Sequence, residues 1–286
     1  MALTLKQAAV FIKTIRYPNL LIMAATQIMC ALFLTGEDYA PSFSLPFSLT
    51  LVATVLTAAG GYIINDIFDQ SADVVNKPGK TYITVANRNF YGLAYYSITA
   101  LGVICGLLAA LPVGIITLLT AALLYFYSYR LKKIAVWGNL AVALMSAVAI
   151  LVLLFVLPGN RSLYFIYAGF AFITTLVREM VKDIEDTQGD RAAGYNTLPV
   201  IKGEATAQTA TVWVAAVQVL LVLAWAMFYL VTFRLLAFYY IAAFLVIPSV
   251  GLVLFIHRAK EKRQYSQASL FCKLVMLGGI ASMLFT

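Results

Sequence analysis

The sequence predicts an all-α membrane protein, a polytopic bundle of about nine spans, and three observations carry that prediction. Hydrophobic residues make up 63% of the 286 residues and charged residues only 11%, against ~45–50% and ~25% in ordinary soluble domains. The apolar residues run in stretches close to the ~20 that a helix needs to cross ~30 Å of hydrocarbon. Basic residues fall almost entirely on one side when those stretches are threaded back and forth. A water-soluble globule of this size cannot cover so much apolar surface with so few charges, and disorder needs the opposite bias. The net charge of +8 is spread between apolar runs, so nucleic acid is not the partner it implies.

Residues 1–16 lack the cleavage pattern of a signal peptide. Leu5, Ala8, Ala9, Ile12 and Ile15 recur at helical spacing, which predicts a short interfacial helix feeding the first span. Spans then fall near 17–35, 47–66, 91–111, 113–129, 138–157, 161–181, 206–230, 235–256 and 268–286. The breaks between them are short, and spans three and four are parted by Leu111-Pro112 alone, which suits either two helices or a kinked pair. With the N-terminus cytoplasmic, 18 of the 20 basic residues lie inside, leaving Arg161 and Arg234 outside. Nine spans then place the C-terminus outside. Ten of the twelve carboxylates face the same way as the basic residues, Glu37 and Asp38 being the exceptions.

Several chemistries have little to work with. Cys30, Cys105 and Cys272 sit in apolar runs without a CxxC pair, so neither a disulfide framework nor a zinc site is expected. His257 is the sole histidine. A GxxxxGK[ST] phosphate loop is absent. Asn160-Arg161-Ser162 matches the glycosylation pattern, which is short enough to arise by chance.

Eight of the inner carboxylates come from two segments. The end of span two holds Asn65, Asp66, Asp69 and Asp73, and the end of span six holds Glu179, Asp183, Glu185, Asp186 and Asp190. At an offset of 117 both segments read Asp-Ile-x-Asp-x-x-x-Asp, and Lys182 stands before Asp183 as Asn65 stands before Asp66. Positions i, i+3 and i+7 fall within about 60° on a helix, so the three Asp of each motif can share a face. Glu179 joins the second face and Glu185 points away from it. The third Asp of each motif is expected near a helix end or in loop, above all Asp190 beside Gly189.

Three carboxylates on one face repel and raise one another's pKa unless a cation lies between them. A single such cluster can be a solvated helix end. Two matching clusters on one side call for a hard divalent cation, and Mg²⁺ fits because it is held by one or two carboxylates plus waters and substrate phosphates. Lys77, Arg178 and Lys182 lie beside the clusters and suit a polyanionic ligand.

These residues resemble the UbiA-type family of intramembrane prenyltransferases. Its NDxxDxxxD signature with NKP stands here as Asn65-Asp66, Asp69, Asp73 and Asn76-Lys77-Pro78, and its second acidic motif as Asp183, Asp186 and Asp190. The resemblance covers the chain as a single domain over 1–286, with the paired motifs at 65–78 and 182–199. Arg178-Glu179-x-x-Lys182-Asp183, Thr197-Leu198-Pro199, and Tyr127-Ser128 with Lys132-Lys133 and Gly138-Asn139 are similar to the geranylgeranylglyceryl-phosphate geranylgeranyltransferase branch and its bacterial relatives. Gly79-Lys80-Thr81 and Gln70 depart from the basic residues many members carry there.

The resemblance implies Mg²⁺-dependent transfer from a prenyl diphosphate to a lipid acceptor such as a prenylglyceryl phosphate. Asp66, Asp69, Asp183 and Asp186 would hold metal, with Asp73 and Asp190 in support and Asn65 orienting a carboxylate or a water. Lys77, Arg178 and Lys182 would clamp phosphate, with Tyr127 and Asn139 at the substrate. An aromatic quinone precursor of hydroxybenzoate or naphthoate type is an alternative acceptor. A divalent-cation or solute transporter is an alternative of another class, though transporters bind near the midplane. The expected setting is the cell's inner membrane, multi-pass, with the site facing the cytoplasm and no obligate protein partner.

Overall fold

The computed structural model describes residues 5–36, 44–76, 82–84 and 86–285. Among these residues the architecture is helical throughout, apart from one isolated bridge between Ile134 and Asn196. The helices are α1 (Leu5–Thr14), α2 (Tyr17–Phe33), α3 (Leu45–Phe68), α4 (Gln70–Asn76), α5 (Arg88–Ala109), α6 (Leu111–Tyr129) and α7 (Trp137–Leu151). They continue with α8 (Arg161–Glu185), α9 (Thr187–Ala192), α10 (Leu198–Lys202), α11 (Glu204–Val231), α12 (Leu235–Ile241), α13 (Ile247–Arg258) and α14 (Lys262–Ser282). A π-helical turn over Ala242–Val246 fuses α12 and α13 into one rod.

Eight rods are long and apolar enough to cross a membrane, and α2 is a ninth apolar helix of 17 residues. At ~1.5 Å per residue it spans ~26 Å, slightly less than the hydrocarbon core. Among the described residues, eight of the nine predicted spans thus have a helix long enough to cross, and the first is met by the shorter α2, with α1 ahead of it. Arg16, in the left-handed conformation at φ 52°, turns the chain from α1 into α2, and Pro18 sits in the first turn of α2, where it removes no helical hydrogen bond. Leu111-Pro112 parts two helices rather than kinking one: Ala110 is fully extended and Pro112 opens α6.

Hydropathy misplaced the ends that leave the apolar zone. The last helix begins at Lys262, six residues before the predicted span, because the Gln264 side chain accepts the Glu261 N–H at 3.0 Å and secures a polar first turn. The sixth span likewise runs on to Glu185.

Packing sets the rotation of the helices that carry the acidic motifs. Ile63, Ile64 and Ile67 of α3 are buried against Tyr91 and Tyr95 of α5, which turns Asn65 and Asp69 the other way. Val177, Val181 and Ile184 of α8 are buried in a cluster with Leu252, Ile256 and Cys272, leaving Arg178, Glu179 and Lys182 on the opposite face. A larger core around Phe47, Tyr164, Tyr167, Trp225 and Tyr229 closes the other end of the bundle. Within the apolar zone Gln27 joins α2 to two neighbours, donating to Thr54 Oγ1 at 3.1 Å and to the Ala149 carbonyl at 2.6 Å. Outward faces carry large apolar side chains such as Leu93, Leu108, Trp213 and Leu220, as lipid contact requires.

The turn before α8 docks on the end of α2. Gly159 has φ +125°, and a Cβ there would stand 2.1 Å from the Leu34 carbonyl oxygen. Asn160 then caps α8 through Ser162 N–H at 3.0 Å, a structural role for the Asn-Arg-Ser run. Gly159→Ala is expected to lower stability by about 1–3 kcal/mol, read as a depressed melting temperature in detergent; an unchanged melting temperature would contradict this docking.

Candidate active site

Each acidic motif breaks its helix at the second aspartate. Asp69 ends α3 at φ −89°, ψ 2°, and Asp186 ends α8 at φ −97°, ψ 6°. Their N–H groups return to Asn65 O and Lys182 O, both at 2.9 Å. The chain resumes in α4 and α9, where Asp73 N–H donates to Asp69 O at 2.8 Å and Asp190 N–H to Asp186 O at 3.0 Å. The repeat at offset 117 thus extends to backbone angles. It extends to side chains too: Asn65 Nδ2 donates to Asp69 Oδ2 at 2.7 Å, and Lys182 Nζ stands 3.9 Å from Asp186 Oδ2. The third Asp of each motif lies in a short helix after the bend, not on a continuous face and not in loop.

The two halves are tied directly. Asn76 Oδ1 accepts the Gly189 N–H at 3.0 Å. A Cβ on residue 189 would stand 2.3 Å from the Asn76 amide carbon, so glycine permits the approach that brings α4 onto α9.

Between the halves lies a polar cavity of about 100 Å³ lined by Asp69, Asp73, Glu179, Asp183, Asp186 and Asp190. Lys132, buried at the end of the fourth span, forms an ion pair with Asp69 and donates to Asn65 Oδ1 at 3.4 Å. The Tyr195 hydroxyl donates to Asp69 Oδ1 at 3.2 Å, with its ring 5.4 Å from the Lys132 ammonium. The segment after α9 delivers that tyrosine, held by Tyr195 N–H to Asp190 O at 2.8 Å and Asn196 N–H to Lys133 O at 2.9 Å. Asn139 Nδ2 donates to Asp183 Oδ2 at 2.9 Å, and Thr197 Oγ1 to Asp190 Oδ2 at 3.2 Å. Burial, then the neighbouring Asp186, pushes the Asp190 carboxyl up to about 6 despite the hydroxyl from Thr197. Burial, with Asp190 and Asp73 nearby, pushes the Tyr195 phenol up to about 12, so it donates as a neutral group.

Asn65, Asp69, Asp73, Asp183, Asp186, Asp190, Lys182 and Tyr127 all line this cavity. Asp66 does not: its Oδ1 accepts from Arg16 Nη2 at 2.8 Å, and that guanidinium lies 5.0 Å from the centre of the Tyr62 ring. Arg178 pairs with Glu179 and faces a neighbouring apolar cavity. Asn139 stands behind Asp183, and Lys77 lies outside the described residues. Sequence reasoning passed over Arg16, Lys132, Tyr195 and Thr197 as site groups. Arg16 counts in the sequence only toward orientation, Lys132 and Thr197 stand only in the family resemblance with no role attached, and Tyr195 belongs to neither motif.

The apolar cavity, of about 320 Å³, runs between α2, α3, α6, α7, α8 and α14. It meets the polar one at Arg16, Asn65, Tyr127, Glu179 and Lys182, which line both. A charged chamber and a greasy channel thus lie side by side with these five side chains at their border, an arrangement that suits an amphipathic anion. Among the described residues no three His, Cys, Asp or Glu side chains converge closely enough to hold a metal alone. The carboxylates ring the chamber instead, and Asp183 has an amide and Asp190 a hydroxyl as hydrogen-bond partner. An all-oxygen set of this kind fits a hard divalent cation completed by water and phosphate oxygens.

A helical bundle with such a chamber at the ends of its spans is an integral membrane protein shaped for an anionic lipid-like substrate. The chain belongs to the UbiA prenyltransferase family, whose pattern it matches over residues 24–277. It is 35% identical over 204 residues to a digeranylgeranylglyceryl phosphate synthase of Sulfolobus acidocaldarius, covering 68% of this chain and 70% of that one. Its fold matches a solved digeranylgeranylglyceryl phosphate synthase with a TM-score of 0.71 at 22% identity, over 98% and 99% of the two chains. It also matches a UbiA homologue from Archaeoglobus fulgidus, solved with GPP and Mg²⁺, with a TM-score of 0.66 at 15% identity, over 96% and 99%.

Gly189→Ala separates folding from assembly of the site. The bundle should keep its melting temperature within a few degrees, because the clash is local. Prenyl transfer should fall about tenfold or more as α4 moves off α9; full activity would show that the Asn76–Gly189 contact is dispensable.

Proposed function

We propose that the protein transfers a prenyl group from a prenyl diphosphate to the free hydroxyl of a prenylglyceryl phosphate, releasing diphosphate. The observation that carries this reading is the junction of the six-carboxylate chamber with the apolar channel. The product named for the Sulfolobus relative supports the acceptor, and the Archaeoglobus homologue with GPP and Mg²⁺ supports the donor class and the ion. The C1–O bond of the allylic diphosphate breaks, the acceptor oxygen bonds to C1, and the hydroxyl proton leaves with the diphosphate.

Asp69, Asp183 and Asp186 would hold Mg²⁺, with Asp73 and Asp190 in support beside them, while Asp66 is taken by Arg16 outside the chamber. Bound there, the ion supplies neutralisation of the charge that builds on the departing diphosphate. The chain's own groups do the rest. Lys132 and Lys182 add positive charge at the chamber wall, and Asn65 fixes the Asp69 carboxylate. The apolar channel takes the isoprenoid and keeps water from the ionising carbon. The basic residues on the site's side of the bundle support a cytoplasmic chamber in the inner membrane, with the N-terminus inside and the C-terminus outside.

Asp186→Ala should lower diphosphate release from labelled prenyl diphosphate by about 100-fold or more while the protein still inserts and folds. Turnover near wild type would remove the second motif from the chemistry. Protons compete with the cation for Asp190, whose carboxyl holds a proton below about pH 6. Half-saturating Mg²⁺ should therefore rise as pH falls through 6, and Asp190→Asn should reduce that rise.

A further inference from the structure

Two cations line the apolar channel but not the acidic chamber, Arg178 of α8 and Lys273 of α14, and Asn19 of α2 lines the channel beside them. They lie deep. Arg178 is eight residues before Asp186, ~12 Å along α8, and Lys273 is eleven residues beyond Lys262, ~16 Å along α14. Lys262 itself stands at the level of the acidic motifs, its Nζ 3.4 Å from the Asn76 carbonyl. A lysine at such depth is costly unless something compensates it, yet among the described residues Lys273 makes no ion pair. Its Nζ donates to the neutral Asn19 Oδ1 at 3.0 Å. The strongest charges on it are Arg178, Lys182 and Arg16, with Glu179 as the opposing carboxylate.

Arg178 gives a second, independent sign. One arm of its guanidinium is taken by Glu179, while its Nε–H is buried with no hydrogen-bond partner among the described residues, an arrangement proteins avoid unless a ligand completes it. Arg178 and Lys273 carry two positive charges against one negative on Glu179, and Lys182, 3.9 Å from Asp186, stands at the boundary. The positive surplus in an otherwise apolar channel suits an anionic headgroup such as a phosphate monoester. Beyond Lys273, Met276 and Ile280 of α14 and Met283 just after it line the channel, a path for an apolar tail.

We propose that Lys273, Arg178 and Asn19 form a second anion site, distinct from the acidic chamber, that binds the phosphate monoester headgroup of the acceptor lipid. It rests on the acceptor reading above. Lys182 and Glu179, shared by both cavities, mark the boundary at which the two substrates meet. The acidic chamber takes the donor diphosphate through cations, and the second site takes the acceptor phosphate directly through ammonium and guanidinium donors.

Steady-state transfer with two acceptors of identical tail, prenylglyceryl phosphate and the neutral prenylglycerol, tests it. In Lys273→Ala the KM for the phosphorylated acceptor should rise about tenfold or more, the KM for prenyl diphosphate should stay within about twofold, and the preference over prenylglycerol should shrink by the same factor. Lys273→Arg should restore most of the loss, and Asn19→Ala should give a smaller rise in the same KM. Should Lys273→Ala fail to fold, Asn19→Ala and Lys273→Arg carry the test through the same KM pair. An equal rise in both KM values would assign the cations to the donor diphosphate, and no change in either would leave them structural; each result overturns the proposal. Absence of transfer by the wild type to any glyceryl phosphate lipid would instead remove the acceptor reading itself.

Discussion

Mutual repulsion of the six carboxylates around a chamber of about 100 Å³ is the constraint that the rest of the site answers. Acidic side chains at the ends of membrane helices cannot rely on bulk water to screen them. The chain bends both helices at the second aspartate, so the third carboxylate of each motif moves off the common face. It then brings compensation from distant segments: Arg16 from the start of the first span, Lys132 from the end of the fourth, and Tyr195 from the segment after α9. The Asn76–Gly189 hydrogen bond holds the two halves facing each other against that repulsion.

The fold was legible because lipid imposes a simple code. Each apolar stretch has to be helical to satisfy its own backbone, and its length follows from the bilayer, so nine spans can be counted without knowing how they pack. That code is silent where a helix leaves the apolar zone. Lys262–Gln264 extends the last helix through a cap, and Arg178–Glu185 continues the sixth through polar residues. The Leu111-Pro112 break is a local matter that sequence leaves two-valued, since proline both starts and kinks helices. The extended Ala110 decides it.

The site was legible in its repeat and not in its partners. Offset 117 aligns the aspartates and even the paired Asn65 and Lys182, because both halves use one i,i+4 contact to set the second aspartate. The groups that neutralise or orient those aspartates lie 50 to 126 residues away in the first motif, and no local pattern ties Arg16 or Tyr195 to them. Inner basic residues are also expected in any membrane protein for orientation. Arg16 and Lys273 therefore carry no separate signal in the sequence, and Lys132 carries one only through the family resemblance; the packing shows where each one ends.

The repeat is symmetric in backbone and asymmetric in charge, and the asymmetry follows from the partners. In the first motif Asp66 faces the guanidinium of Arg16 and Asp69 the ammonium of Lys132. In the second, Asp183 faces the amide of Asn139, Asp190 a threonine hydroxyl, and Asp186 a lysine at 3.9 Å. Negative potential is thereby concentrated on the α8–α9 side of the chamber. That is the same side from which Arg178 and Lys182 project, one toward the channel and one at the boundary. A single helix thus presents, over two turns, a cationic face to the apolar channel and an anionic one to the chamber. A substrate with a charged head and a long tail is oriented by that gradient before any bond changes.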